Sequence, residues 1–180
     1  MVCCFLADGF EELEAIAPID MLRRAGVEVL TVGVTGKNVS GSHGICVSAD
    51  ICIDELSLND TLEAVILPGG LPGAVNLENS SVVQSAIDFA IEKGAYVCAI
   101  CAAPQILGHK GLLKEKEAIA YPGFEKELDG AIISDSYVVI DDKFITAKGA
   151  GVAVDFGLLI VSALKGQSVS DKIRAAIQMK

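Results

Sequence analysis

The sequence is poor in basic residues and has no hydrophobic run long enough to cross a membrane. Fourteen lysines and arginines face 24 aspartates and glutamates, which gives a formal net charge of −10 at pH 7. Binding of nucleic acid depends on a basic surface, so this charge balance argues against a nucleic acid partner. Although 52% of the residues are hydrophobic, no run approaches the roughly 18 apolar residues of a membrane span. We therefore expect no membrane contact.

Signatures of metal and nucleotide sites are also missing. There are only two histidines, and the first four cysteines lack the paired spacing of a structural zinc site. The glycine-rich stretches match neither GxGxxG nor the P-loop pattern. These absences predict a protein without a metal ion or cofactor.

A secretory signal is not apparent, because the N-terminus enters an apolar segment without a basic region or a small-residue cleavage site. We therefore expect a cytoplasmic protein whose six cysteines are reduced thiols. A length of 180 residues suits one domain with a substantial core. Since there is no internal repeat, linker or low-complexity tract, the sequence predicts a single domain over residues 1–180.

The stretch around Cys101 indicates a reactive site. The apolar run 95–100 predicts a buried strand, and Pro104 suits the first turn of a helix that follows. Cys101 lies between them, flanked by small residues, in the layout of a nucleophile elbow. At a helix N-terminus, unpaired N–H groups and the helix dipole favour the thiolate.

Two other interpretations of the cysteines in this stretch are a core residue and a redox dithiol. A free cysteine is usually a core residue, and that interpretation suits Cys98, which lies inside the predicted strand. The pair Cys98 and Cys101 also spells C-x-x-C, which is typical of redox dithiols. Three residues of extended chain span roughly 10 Å, however, and a disulfide needs Cα atoms within about 7 Å. The dithiol is therefore disfavoured.

Predicted strands alternate with predicted helices along the chain, which indicates an α/β fold with a mostly parallel, doubly wound sheet. The first strand covers residues 2–6, and a helix follows over about 10–25. Leu13 and Ala17 are expected to define the buried stripe of this helix, with Glu14 beside it. A carboxylate there needs a partner, although the helix dipole alone accounts for acidic residues in a first turn, Glu11 and Glu12 included.

Two glycine-rich loops follow predicted strands. Residues 68–73 (Pro-Gly-Gly-Leu-Pro-Gly) come after the strand 64–67, and residues 148–151 (Lys-Gly-Ala-Gly) come after a predicted hairpin over 137–147. In open α/β sheets, ligands bind at the carboxyl ends of the strands, and glycine allows a close backbone approach. Each loop is also compatible with an ordinary turn.

With these motifs in view, the chain resembles the DJ-1/PfpI superfamily, and its DJ-1 (YajL/ThiJ-like) branch in particular. The resemblance covers nearly the whole chain and rests on Glu11-Glu12-Leu13-Glu14 with the segment 20–26, on Leu67-Pro68-Gly69-Gly70, and on the segment 99–104. It implies a flavodoxin-like three-layer sandwich and a homodimer.

The resemblance also implies site residues. Cys101 matches the family's reactive cysteine, and Glu14 matches the buried carboxylic acid that partners it. Gly70 and Ala102 match residues whose N–H groups form an oxyanion pocket. Further predicted site residues are Gly69, Tyr121, Gly149 and Ala150, with His43 and Arg24 as a possible pocket at the dimer interface. Tyr121 stands where members with glyoxalase activity often carry histidine, and His43 stands where DJ-1 carries an arginine.

Two functions follow from the resemblance. The first is a cofactor-independent glyoxalase or deglycase that acts on methylglyoxal-type α-oxoaldehydes or their adducts, with Cys101 as nucleophile and Glu14 as general acid and base. The alternative is a redox-sensing stress protein or chaperone that works through oxidation of Cys101. A protease is disfavoured, because Ala102 replaces the histidine of a Cys-His pair.

Overall fold

The computed structural model describes residues 1–179 and is built around a seven-stranded sheet. The strands of this sheet are β1 (Val2–Leu6), β2 (Val29–Gly33), β5 (Ile51–Cys52), β6 (Ala64–Leu67), β7 (Tyr96–Ile100), β10 (Val138–Asp141) and β11 (Phe144–Ala147). Their order across the sheet is β10-β11-β7-β6-β1-β2-β5. Neighbouring strands are parallel throughout, apart from the antiparallel pair β10 and β11.

Two small ribbons, six α-helices and three short 3-10 helices (Ile53–Glu55, Glu125–Glu127 and Ala150–Val152) complete the described chain. The ribbons pair β3 (Asn38–Ser40) with β4 (Cys46–Ser48), and β8 (Glu117–Ala118) with β9 (Ile132–Ile133). The helices are α1 (Glu12–Arg24), α2 (Gly73–Glu78), α3 (Ser81–Glu92), α4 (Pro104–His109), α5 (Ala153–Lys165) and α6 (Gln167–Ala176).

The sheet separates two hydrophobic cores, because successive side chains of a strand point to opposite faces. In β1, Cys4 packs into the core beneath α1, α5 and α6, whereas Cys3 and Phe5 pack into the core beneath α2, α3 and α4. Both faces are covered by helices, which explains why the central strands are continuous apolar runs. The predicted α/β fold, a flavodoxin-like three-layer sandwich with a mostly parallel doubly wound sheet, is confirmed.

The order of the strands reverses between β1 and β6. The chain leaves β1 toward β2 and β5, and it then returns to place β6 on the other side of β1. A crevice forms at the carboxyl edge of the sheet where such a reversal occurs. The strands β1, β6, β7 and β11 all end at this edge, and the segments that follow them carry Glu14, Gly69 with Gly70, Cys101 with Ala102, and Gly149 with Ala150.

Several local predictions are confirmed and others are wrong. The strand 2–6 and the hairpin formed by β10 and β11 are confirmed. The predicted helix 10–25 is shorter, from Glu12 to Arg24, and a short helix, α2, follows the first glycine loop. Within residues 1–179, none of the helices combines the length and the apolar character needed to span a membrane.

Candidate active site

Cys101 lies at the apex of a sharp turn between β7 and α4. Its φ angle is 65°, in the left-handed region that residues other than glycine seldom occupy. Its backbone N–H donates to the Ala147 carbonyl at 2.9 Å, and its own carbonyl accepts from the Tyr121 N–H at 2.8 Å. These two bonds tie the strained residue to the end of β11 and to the loop at Tyr121, so the surrounding backbone holds the turn in place.

Glu14 reaches the same edge from the first turn of α1. The side chain of Glu11 caps this helix, since its Oε2 accepts a hydrogen bond from the Glu14 N–H at 2.8 Å. The predicted buried stripe is wrong, because Leu13 is 59% exposed. The helix turns Glu14 itself toward the sheet, where it is only 1% exposed. Leu13 therefore projects away from the site, and Glu14 occupies the buried position.

The Glu14 carboxyl group is held by one good hydrogen bond. Its Oε2 accepts from the Gly69 N–H at 3.0 Å. Within residues 1–179, its Oε1 has no hydrogen-bond partner of good geometry, although the Cys101 thiol and the Ala150 amide lie near enough to influence the carboxyl group. Burial raises the pKa of Glu14 to about 7, against a smaller lowering by the contact with Cys101. The group can thus take up or release a proton near neutral pH.

The pKa of the Cys101 thiol is raised, whereas its position at a helix N-terminus predicted that the thiolate would be favoured. The pKa of Cys101 is raised by the partial burial of its side chain and, in addition, by the negative charge of the adjacent Glu14 carboxylate. The N–H groups of Gly70 and Ala102 lower it to a smaller extent. The helix terminus alone therefore does not produce a free thiolate, because two like charges cannot form side by side in a buried site. Cys101 and Glu14 are coupled in their titration. Because the pKa of Glu14 lies below that of the Cys101 thiol, the carboxyl group loses its proton first, and it is then the nearest base for the thiol proton.

Glycine at position 69 is required by the close packing of the pair. A Cβ atom there would lie 2.6 Å from Oε2 of Glu14 and 2.7 Å from Cβ of Cys101. Gly70 adopts a φ of 84°, a conformation that suits glycine and turns its N–H toward the Cys101 sulfur. The loop after β6 thus supplies one amide to each partner of the pair.

Beside the pair lies a cavity of about 410 Å³, and Tyr121, Gly149 and Ala150 connect the two. A Cβ at Gly149 would lie 3.3 Å from the Tyr121 ring and 4.0 Å from Oε1 of Glu14. Tyr121 is 50% exposed. The structure therefore places all three predicted residues at the border between the reacting pair and the cavity.

His43 and Arg24 form separate ion pairs. The Nδ1 atom of His43 lies 3.0 Å from Oε2 of Glu12, while Nε of Arg24 lies 2.8 Å from Oδ2 of Asp20. Their predicted role at a dimer interface stays a prediction.

Glu12 is not the solvated first-turn acid that the sequence suggested, since it is 6% exposed. Burial acts to raise its pKa, but hydrogen bonds from the His43 ring and from the backbone amides of His43 and Ile45 outweigh burial and lower the pKa to about 2. Glu12 thus anchors the loop at 41–45 to α1.

The other cysteines lie apart from the pair, whereas potential metal ligands form two groups within residues 1–179, one of which includes Glu11 at the cap of α1. All six cysteines are free thiols, and Cys3, Cys4 and Cys98 are buried in the cores. Two groups of three side chains bring potential ligand atoms within 4.8 Å of one another, namely Glu11 with Glu12 and His43, and Cys52 with Asp54 and Glu55. In the first group, the ring of His43 already pairs with Glu12. The absence of a metal or cofactor from the function stays a prediction.

Sequence reasoning did not find the far wall of the cavity. Pro122, Tyr137, Lys148 and Val152 line it together with the predicted residues. Tyr137 immediately precedes β10 and Lys148 immediately follows β11, and the Lys148 N–H donates to the Tyr137 carbonyl at 2.9 Å just beyond the hairpin's last strand pair. The hairpin pattern was the available signal, because residues paired across a hairpin lie side by side.

The comparisons with known proteins agree with this geometry. The model of the DJ-1/PfpI family matches residues 1–163. The chain is 33% identical over 179 residues to the protein DJ-1 homolog A of Arabidopsis thaliana; this match covers 97% of the chain but only 45% of that relative's length. It is 32% identical over 164 residues to a glutathione-independent glyoxalase of Caenorhabditis elegans, DJR-1.2, with 91% of this chain and 87% of the relative covered.

Comparison with a solved structure shows that the chain shares the fold of a DJ-1 protein. The oxidized DJ-1 of Toxoplasma gondii superposes with a TM-score of 0.92 at 32% identity, and the match covers 98% of this chain and 97% of the other.

Proposed function

Because the chain belongs to the DJ-1/PfpI family, we propose that it is a cysteine-dependent, cofactor-independent glyoxalase or deglycase. Its substrates would be methylglyoxal-type α-oxoaldehydes or their adducts. The observation that carries the proposal is the buried Glu14 carboxyl group beside Cys101. Its pKa is about 7, and within residues 1–179 its Oε1 atom has no hydrogen-bond partner of good geometry. A similar relative bears the name of a glutathione-independent glyoxalase, which supports the same class of reaction.

The first step forms a covalent hemithioacetal. Glu14, as carboxylate, accepts the thiol proton while the Cys101 sulfur bonds to the aldehyde carbon and the carbonyl π electrons move to oxygen. In this proposal the N–H groups of Gly70 and Ala102, which lie next to the Cys101 sulfur, stabilise the resulting oxyanion. Glu14 then returns the proton to that oxygen, which restores its carboxylate form.

The second step moves a proton between the two carbons of the substrate. Glu14 removes the proton from C1, and an enediolate forms. It then delivers the proton to C2 while the hydroxyl proton passes from the C1 oxygen to the C2 oxygen, so that C1 becomes a thioester carbonyl and a thioester of lactate remains on Cys101. Water hydrolyses the thioester and releases lactate and the free thiol. C1 is oxidised and C2 is reduced, so methylglyoxal and water balance lactate and a proton without an external oxidant or reductant.

The test is consumption of methylglyoxal without glutathione, with lactate quantified. We expect wild-type protein to release more than one lactate per site, and we expect Cys101→Ser and Glu14→Gln to lose this turnover. Cys46→Ser is the matched control, because Cys46 is exposed and lies outside the site. Turnover retained by Cys101→Ser would overturn the proposal.

The pH profile checks the role of Glu14. Since the pair reacts only after losing its first proton, kcat/KM should rise as the pH rises through the Glu14 pKa of about 7. Glu14→Gln should remove this inflection from the rate at which iodoacetamide modifies Cys101. An unchanged profile in that variant would exclude Glu14 as the base.

The second candidate is a redox sensor, and the half-buried position of Cys101 next to two amides favours it. Peroxide would convert the thiol to sulfenic acid and water, and a second equivalent would give sulfinic acid. The similar Toxoplasma gondii structure is described as oxidized. Mass spectrometry after mild peroxide should find Cys101 oxidised before Cys46, despite the greater exposure of Cys46. The reverse order would exclude a sensor at Cys101.

A further inference from the structure

The cavity beside the reacting pair is larger than a three-carbon aldehyde requires. Its volume of about 410 Å³ lies within the range of roughly 300–1,000 Å³ that is typical of small-molecule sites. A water molecule takes about 30 Å³ of liquid volume, so the cavity could hold more than ten of them. Methylglyoxal has only five non-hydrogen atoms, and it would leave most of this space empty. The site therefore has room for a substituent on the aldehyde.

The cavity lies where such a substituent would extend. Cys101 and Glu14 do not line it, but its wall includes Tyr121, Gly149 and Ala150. The Tyr121 N–H donates to the Cys101 carbonyl, and the backbone at Gly149 and Ala150 lies next to the Glu14 carboxyl group. An aldehyde carbon bonded to the Cys101 sulfur would thus have its substituent next to this wall. The cavity continues the reaction site and is not a separate surface feature.

The lining combines aromatic rings with one cation. The rings of Tyr121 and Tyr137 and the ring of Pro122 give it a mainly apolar surface. The ammonium group of Lys148 lies 4.9 Å from the centroid of the Tyr137 ring. Across residues 1–179 no carboxylate lies within ion-pair distance of Lys148, whereas Lys93, Lys110 and Lys116 each have an acidic partner. Lys148 is half-buried, so its charge is available to an anion in the cavity.

Two features of the lining define the ligand. Tyrosine rings stack on an aromatic ring in offset or edge-to-face geometry, and a partly buried ammonium attracts a carboxylate more strongly than a fully hydrated one does. In a chain of net charge −10, a cation that lines this cavity and has no acidic partner within residues 1–179 favours an anionic ligand. A short neutral aldehyde would use neither feature.

We propose that this cavity selects α-oxoaldehydes whose substituent is an aromatic ring bearing an acidic group, with Tyr137 contacting the ring and Lys148 pairing with the anion. This inference rests on the proposed function for the covalent step, and it adds the substrate class. The chemistry at Cys101 is unchanged, so the product is the corresponding 2-hydroxy acid.

The experiment compares methylglyoxal, phenylglyoxal and 4-carboxyphenylglyoxal as substrates. We expect kcat/KM to increase in that order. A single ion pair of this kind contributes on the order of 1 kcal/mol, which corresponds to about fivefold in kcat/KM. Lys148→Gln should remove the advantage of 4-carboxyphenylglyoxal over phenylglyoxal, and Lys148→Arg should retain much of it. Tyr137→Ser should reduce the advantage of phenylglyoxal over methylglyoxal.

Lys143→Gln is the matched control. Lys143 makes the same kind of contact, 4.3 Å from the centroid of the Tyr96 ring, but it does not line the cavity. The assignment of Lys148 would be overturned if the ratio of kcat/KM for 4-carboxyphenylglyoxal to kcat/KM for phenylglyoxal were the same in Lys148→Gln as in Lys143→Gln. Equal kcat/KM values for all three aldehydes in wild-type protein would overturn the substrate class.

A binding measurement separates this inference from the proposed function. Calorimetry with 4-carboxymandelate, the hydroxy acid formed from 4-carboxyphenylglyoxal, requires no turnover. If wild-type protein turns over none of the aldehydes, the glyoxalase proposal fails. The cavity assignment then stands only if 4-carboxymandelate binds and Lys148→Gln weakens the binding about fivefold relative to Lys143→Gln. No binding to wild-type protein, or equal binding to both variants, would overturn the assignment.

Discussion

Cys101 has a strained, left-handed backbone conformation, and this conformation holds its thiol at the apex of the turn between β7 and α4. A left-handed conformation costs a residue with a Cβ atom about 1–2 kcal/mol, and such strain persists only where the surrounding structure enforces it. Hydrogen bonds to Ala147 and Tyr121 supply this constraint. Glycine, which would relieve the strain, carries no thiol. The choice of cysteine at a φ of 65° therefore favours chemistry over stability.

This strain predicts an unusual order of stability for two variants. Cys101→Gly should be more stable than Cys101→Ala by about 0.5–1 kcal/mol, because relief of the left-handed strain exceeds the greater entropy that glycine gains in the unfolded chain. Ala103→Gly is the control, since Ala103 has a φ of −66° and should lose stability. Denaturant titration measures all three variants, and a Cys101→Gly variant less stable than Cys101→Ala would contradict the argument.

The raised pKa of Glu14 predicts that its contribution to stability falls with pH. Its pKa is about 7 in the folded protein against an ordinary value of 4.5, so between these pH values the folded state holds a proton that the unfolded state releases. Stability must then decrease as the pH rises through this window, by up to about 3 kcal/mol at 1.4 kcal/mol for each tenfold change in proton affinity.

Denaturant titrations at pH 5, 6, 7 and 8 test this expectation. The free energy of unfolding of wild-type protein should fall relative to that of Glu14→Gln as the pH rises, with most of the change complete by pH 8. Glu92→Gln, at an exposed position of α3, should run parallel to wild type. A difference between wild type and Glu14→Gln that stays constant with pH would show that Glu14 titrates normally.

Among the elements, α1 and α5 pack closely because a glycine lies at their contact. A Cβ at Gly157 would lie 2.7 Å from the Cα of Pro18 and 3.1 Å from the Cβ of Met21. Both neighbours belong to the helix that carries Glu14, so the separation of the two helices also sets the position of the buried carboxyl group. Elements far from the reacting atoms thus determine the geometry of the site.

Gly157→Ala should destabilise the protein by about 1–3 kcal/mol, as an added methyl group does in a well-packed core. Gly151→Ala is the matched control, since a Cβ there meets nothing within 4 Å. Both substitutions change the entropy of the unfolded chain equally, so the difference between them reports the packing. Equal free energies of unfolding for Gly157→Ala and Gly151→Ala would contradict the close contact between α1 and α5. Because Gly157→Ala should displace α1 and with it Glu14, we also expect it to reduce the reactivity of Cys101.

At the scale of the whole molecule, we propose that the exposed face of α1 forms the homodimer interface. Leu13 and Ile16 are 59% and 43% exposed, and at a spacing of three residues they lie on the same side of the helix. Apolar side chains of this size are costly to leave in water. The homodimer that the family resemblance implies would cover them and would place the partner close to the loop that Glu12 and His43 hold together.

Sedimentation equilibrium tests this proposal. Wild-type protein should have twice the mass of one chain, and Leu13→Glu should shift it to the monomer by burying a charge in the interface. Ile140→Glu is the control, because Ile140 is 42% exposed and lies on β10 at the outer edge of the sheet. A dimer that persists in Leu13→Glu, or a wild-type monomer, would exclude this interface.

The sequence by itself determined the layered fold and the elbow. Apolar runs at the central strands allow only a sheet buried on both faces, and the order of strands and helices along the chain then fixes a mostly parallel arrangement. The place of Cys101 follows from local signals, the apolar strand before it and Pro104 after it. Glu14 was identified from a motif, since the spacing of apolar residues pointed to Leu13 as the buried position.

Only the tertiary structure decided the electrostatics and the shape of the site. Whether a thiol at a helix terminus is ionised depends on its burial and on the nearest charge, and Glu14 reaches Cys101 across 87 positions of the sequence. The partnership of Glu12 with His43 and the cavity wall at Tyr137 and Lys148 likewise arise where separate segments meet. Local patterns set which elements form, whereas pKa values and cavities depend on contacts between residues that are distant along the chain.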